Sequence, residues 1–207
     1  MTDTSANNKR IAKNTLLLYF RMLFMMAVSL YTSRVVLNAL GVEDFGIYNV
    51  VGGVVAMFSM LSGSLSAAIT RFITYELGKG NQENLKKIFS SSVTIQIGLA
   101  ILIIVVAEAI GVWFLNMKMN IPDVRITAAN WVFQFSILTF AVNLISVPYN
   151  ASIIAHERMS AFAYISILEA IGKLAIVFLI VISPMDKLIF YAILMCAVAL
   201  IVRLAYG

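Results

Sequence analysis

Four basic side chains, Arg21, Arg34, Arg71 and Lys173, fall inside long apolar stretches. Arg21 and Arg34 sit in LLLYFRMLFMMAVSLYTSRVVL with twelve uncharged residues between them. As a helix that gap covers roughly 18 Å, against a hydrocarbon core of about 30 Å, so at least one arginine lies within the bilayer or snorkels from it. A cation at the bilayer centre costs at least about 2.5 kcal/mol on the mildest scale, and such residues usually face a watery cavity or a polar partner. The chemistry they offer is reversible capture of an anion. Glu169 and Lys173 are spaced i, i+4 with the acid first, the favourable order for an intrahelical pair. They read either as a self-neutralised pair or as a lumen-facing site whose lysine meets an anionic ligand. Glu108 reads as a proton or cation site or as an interfacial carboxylate; Glu108 and Glu169 are the ion-coupling possibilities. Arg71, at the end of its stretch, and Arg21, some six residues into its own, also fit interfacial snorkelling.

The fourth apolar stretch carries Asn130, Gln134, Asn143 and Asn150. Asn143 and Asn150, seven apart, share a helix face. Such amides serve sugar hydroxyls or hydrogen bonds between helices. Ser59, Gly63 and Ala67, and likewise Ser62, Ser66 and Thr70, form small-residue stripes suited to close helix packing. Gly52 and Gly53 add a weak point before them. His156-Glu157-Arg158 lacks the spacing of an HExxH zinc motif and reads as a solvated turn. Cys196 is the single cysteine, so no intramolecular disulfide forms. No Ser/His/Asp set, phosphate-binding glycine loop or paired catalytic carboxylates are present. The sequence therefore assigns no catalytic residue, metal site or cofactor, and reads as a non-enzyme.

The elements that position these residues follow from composition. Hydrophobic residues make up 61% of the 207, charged residues 12%, and mean hydropathy is +0.95. A soluble domain of this size could not hide that apolar surface. The runs are continuous rather than alternating, which excludes a β-barrel. The reading is an all-α polytopic membrane protein, a six-transmembrane-helix bundle with spans at 15–38, 47–72, 88–115, 127–155, 160–183 and 187–206. Residues 1–13 read as a cytoplasmic tail, disordered or interfacial, and 14–207 as one transmembrane lobe.

Eight basic residues (Lys9, Arg10, Lys13, Lys79, Lys86, Lys87, Arg158 and Arg203) fall on one side of these spans, and three (Lys118, Arg125 and Lys187) on the other. The positive-inside rule puts both termini in the cytoplasm. The net charge of +5 reflects this topology and the intramembrane cations. The basic residues are scattered between helices, so nucleic-acid binding is not expected. In the turn after span two, Gly78 and Gly80 end one helix, and Asn81 or Asn84 caps the next. Pro122 and Asp123 break the chain before span four. IVRLAYG stops at or inside the last helix, which points to truncation at the C-terminus.

Three segments together carry a resemblance: SRVVLNALGVEDFGIYNVVGG at the first hairpin, RFITYELGKGNQENLKKIF after span two and PYNASIIAHERM after span four. In their order and their placement at helix ends they resemble the polysaccharide (O-antigen) flippases of the Wzx type, in the multidrug/oligosaccharidyl-lipid/polysaccharide exporter superfamily. The resemblance implies one lobe of a transporter of twelve to fourteen helices. Such transporters move polyprenyl-pyrophosphate-linked oligosaccharide across the bacterial inner membrane for lipopolysaccharide and other surface polysaccharides. It implies a cationic cavity for the pyrophosphate, membrane lipid around the tail, and a missing C-terminal lobe or second copy as partner. Arg34 and Arg71 stand where the motifs have basic residues; Arg21 and Lys173 rest on the charge argument above. Two other functions fit the same architecture: multidrug or cation efflux, which favours acidic cavity residues, and a non-transporting half-transporter scaffold in a glycan-assembly complex.

Overall fold

The computed structural model describes residues 2–206, with side chains for residues 8, 9, 11–59 and 62–206. Every regular element among them is helical. Five stretches are long and apolar enough to cross a membrane: Ile11–Ala56, Gln82–Met117, Asp123–Ala155, Met159–Ile182 and Lys187–Ala205. The first, at 46 residues, would be about 69 Å long if straight, more than twice the hydrocarbon core. It is not one crossing.

Helix α1 (Thr2–Ala56) breaks at Gly41, whose φ of 84° and ψ of 168° are non-helical. A side chain is strained at such a positive φ, which explains the glycine. Before Gly41 the chain tracks α6 (Met159–Ile182): Arg21 reaches Ser166, and Val36 shares a core with Ile176, Val177 and Ile180. After Gly41 it tracks α5 (Ile126–Ala155): Val51 and Val55 share a core with Val132 and Phe133, and Phe58 rests on Phe140. Further along, in α2 (Ser59–Lys79), Ile69 and Ile73 cluster with Ala151. Consecutive helices α5 and α6 are joined by a short turn and run in opposite senses, so the chain reverses at Gly41. Six helical legs result.

Each of the six expected spans thus falls on a helical leg, with adjusted limits, although Ser59–Lys79 is not among the five stretches long and apolar enough to cross. The second leg covers 42–79 rather than 47–72, and it is interrupted at Met57–Phe58, just past Gly52 and Gly53. Residues expected as a tail extend the first helix back to Thr2. Met1, and the side chains of residues 2–7 and Arg10, lie outside the described residues.

The Gly80 turn follows its sequence signals. Gly80 is left-handed at φ 68°, and Asn81 rather than Asn84 is the cap, its side chain accepting from the Asn84 N–H at 3.1 Å. Helix α3 (Gln82–Val106) passes through a π-helical turn (Ala107–Gly111) into α4 (Val112–Met117). Pro122 precedes a 3₁₀ turn (Asp123–Arg125) that leads into α5. The bundle ends with α7 (Lys187–Ala205), in which Cys196 is buried and free.

Helices in lipid are held by packing and hydrogen bonds rather than by the hydrophobic effect, so close approach matters. Of the two expected small-residue stripes, Ser62, Ser66 and Thr70 are half-buried, whereas the other does not provide it. Ser59, Gly63 and Ala67 are exposed, and a Cβ built on Gly63 would meet nothing within 4 Å. The buried line of α2 is Ile69, Ile73 and Glu76 instead. Close approach occurs at Gly111, which faces the Phe133 ring, and at Gly172, which faces Val198.

The Gly41 end of the bundle is tied by Arg125. Its guanidinium donates to Asp44 at 2.8 Å and to Asp186 at 2.5 Å. Asp44 is buried, whereas Arg125 and Asp186 each keep about a third of their side-chain exposure. Arg125→Met strands the Asp44 carboxylate. Removing one partner of a buried pair costs about 3–5 kcal/mol; discounting for Arg125's exposure leaves about 2 kcal/mol. Thermal unfolding in detergent should show that loss, and an unchanged midpoint would refute the tie's role.

Candidate functional site

A cavity of about 270 Å³ opens between α5, α6 and α7. Its polar wall brings together Asn143 and Asn150 from α5 with Glu169 and Lys173 from α6. The heptad spacing of the two asparagines sets them on one face, as the sequence required. Glu169 and Lys173 are held one turn apart by their own helix, with the ammonium donating to the carboxylate at 2.6 Å. The pair is about two-thirds buried.

The two asparagines differ. Asn143 is exposed to the cavity, whereas the Asn150 Oδ1 is buried and accepts no hydrogen bond among the described residues. An unsatisfied buried acceptor costs about 1–3 kcal/mol and so favours any ligand that brings a donor. Apolar walls come from Met195 and Val198 on α7, and Tyr206 closes the margin beyond that helix. A second cavity of about 170 Å³ shares Thr139, Asn143 and Met195 with the first and reaches Tyr48 and Gly52 on α1. Together they form a slot along α5.

The other two amides of α5 act between or within helices. Asn130 pairs with Asn116 of α4 at 3.0–3.1 Å. Gln134 donates to the Glu108 carboxylate at 3.0 Å. Glu108 therefore sits in the π turn against an α5 amide, apart from Glu169 and the cavity lining. The two acids considered for ion coupling do not share a site.

The four cations expected within the membrane also separate. Lys173 lines the cavity. Arg21 lies on the α1–α6 seam, its Nε donating to Ser166 Oγ and its guanidinium 4.0 Å from the centre of the Phe162 ring. Arg34 and Arg71 are exposed and do not belong to this cavity's lining. Arg203, grouped with the basic residues of the N-terminal end, stacks over the Tyr149 ring at 3.8 Å. His156 is exposed, its Nδ1 2.8 Å from the Ser152 carbonyl, in keeping with a solvated turn. Sequence reasoning missed Thr139, Ser146 and Tyr206 in the cavity wall and Ser166 beneath Arg21.

A family model described as "Polysaccharide biosynthesis protein" matches residues 11–207. No curated protein and no solved structure matches the chain. The match spans all six legs, the Gly41 reversal and the α5–α6–α7 cavity, so this multi-pass helical membrane protein belongs to the polysaccharide biosynthesis protein family.

Proposed function

We propose that the chain is the N-terminal lobe of a flippase for polyprenyl-pyrophosphate-linked oligosaccharide, with its termini in the cytoplasm. The observation that carries this reading is the cavity that unites Lys173 with Asn143 and Asn150. The ammonium supplies charge for a phosphate oxygen. The amides supply donors and acceptors for sugar hydroxyls, and the stranded Asn150 Oδ1 asks for a donor such as a hydroxyl. Pockets for drug-sized ligands span about 300–1,000 Å³. At about 270 Å³ this cavity suits one part of the passenger, the diphosphate with its adjoining sugar, rather than a whole oligosaccharide.

The polyprenyl tail stays in lipid. A second lobe, contributed by further chain or by another copy, completes the path, and rocking of the lobes exposes the head group to either side in turn. In that assembly the exposed Arg34 and Arg71 face the partner lobe or the passenger. Cation efflux has less support, because among the residues expected inside the spans the basic Arg21, Arg34, Arg71 and Lys173 outnumber the acidic Glu108 and Glu169.

The amides test this reading. In a transporter carrying this lobe, Asn143→Leu and Asn150→Leu each remove hydrogen bonds worth about 1 kcal/mol, so flipping of a lipid-linked oligosaccharide should fall about fivefold per change. Normal flipping by the double variant at normal membrane levels would remove the sugar-binding role.

A further inference from the structure

We infer that the seam between the first leg of α1 and α6 is a binding site for an anionic glycerophospholipid. A groove of about 340 Å³ runs there. Along α1 it is lined by Lys13, Leu17, Phe20, Arg21 and Phe24, a stripe with helical spacing; α6 contributes Ile167. Lys13 is exposed, toward the N-terminal end of the helix. The groove therefore begins near the membrane surface and descends beside α6.

Charge selects the occupant. Among the described residues, Lys173 pairs with Glu169 and Arg125 with Asp44 and Asp186, whereas Arg203, on α7, stacks over the Tyr149 ring. The described partners of Arg21, the Ser166 hydroxyl and the Phe162 ring, are both neutral. Glu169, the one acid on α6, is taken by Lys173 at 2.6 Å. Arg21 commits only its Nε–H to Ser166, and a guanidinium has four further N–H donors. Lys13 lines the same groove two turns nearer the N-terminus, about 12 Å along the helix from Arg21. A phosphate beside Arg21, with Lys13 drawing the anionic headgroup from the surface side, would neutralise a cation whose described partners are neutral. Below it, Phe20, Phe24 and Ile167 offer an apolar bed for an acyl chain. Basic pockets between transmembrane helices recognise anionic headgroups in this manner.

The site differs from the cavity between α5, α6 and α7, and the inference does not depend on what that cavity carries. The full chain, purified in detergent, is titrated with phosphatidylglycerol and with phosphatidylcholine of the same acyl chains, and bound lipid is counted by native mass spectrometry. Each basic residue near an anionic headgroup contributes about a fivefold preference. Phosphatidylglycerol should therefore bind at least about tenfold more tightly than phosphatidylcholine. Lys13→Gln should reduce that preference about fivefold, and Lys13→Gln with Arg21→Gln should abolish it. Ala163→Trp, which fills the groove from α6, should remove the tight adduct.

Equal retention of the two lipids by the native chain would overturn the inference. So would an unchanged preference in Lys13→Gln, a surface change that decides the matter even where Arg21 variants fail to fold. Displacement of phosphatidylglycerol by equimolar undecaprenyl pyrophosphate would also overturn it, assigning the groove to a transported passenger. The assay contains no transport step, so its failure leaves the flippase reading untouched.

Discussion

Lys173→Met should cut flipping about tenfold to a hundredfold in a transporter carrying this lobe, the loss expected when a hydrogen bond to a charged group, worth about 1.5–3 kcal/mol, disappears. The single change has a second effect: it leaves Glu169 unpaired on a helix that must enter lipid. Failed insertion would then imitate failed transport. Glu169→Gln with Lys173→Met separates the two, because it removes both charges and keeps the shape of the cavity wall. If Lys173 meets the diphosphate, this double variant inserts normally and still fails to flip. If it inserts and flips at the native rate, the lysine only neutralises its neighbour, and the anion-binding role is lost. Initial rates in proteoliposomes, normalised to inserted protein, give the answer.

The second large effect concerns packing. A Cβ at Gly111 would lie 2.2 Å from Phe133 Cζ and 3.1 Å from both Cε atoms. Phe133 is only 1% exposed and has nowhere to swing. Gly111→Ala must therefore part α5 from the π turn or force the ring out of its rotamer. Overpacking of this kind costs about 1–3 kcal/mol, and the contact distance places the loss at the upper end. Phe133→Leu shortens the opposing side chain and should recover part of it. A double-mutant cycle on the unfolding midpoint should then show a favourable coupling above about 0.5 kcal/mol. Additive losses would mean that Gly111 is needed for its backbone rather than for the ring.

Much of the bundle was legible because lipid imposes a coarse grammar. Apolar runs set the legs, and Gly80, Asn81 and Pro122 set the turns. The cations stood out because they are costly where they occur. Their grouping was not legible, since a helix's register fixes neighbours on its own face but not which helix lies opposite. Glu169 and Lys173 could be paired from sequence; their meeting with Asn143 and Asn150 could not. Thr139 and Ser146 gave no signal, because hydroxyls on apolar helices commonly bond the preceding turn, as these do to Phe135 and Val142. The Ser59 stripe misled for a related reason. Small residues permit close approach but do not compel it, and the chain places its tight contacts at single glycines elsewhere.

The Arg125 tie also bears on how the lobe can move. Asp186 does two jobs: one oxygen receives the guanidinium, while the other caps α7 by accepting from the Leu188 and Ile189 amides. Asp44, just past the Gly41 reversal, receives the same guanidinium. A slide of α7 against α5 would break the ion pair and disturb the helix start in one stroke. The first leg's turn would lose its counter-charge with them. The three connections at this end are therefore coupled through one guanidinium, and a displacement of any one of them disturbs the other two.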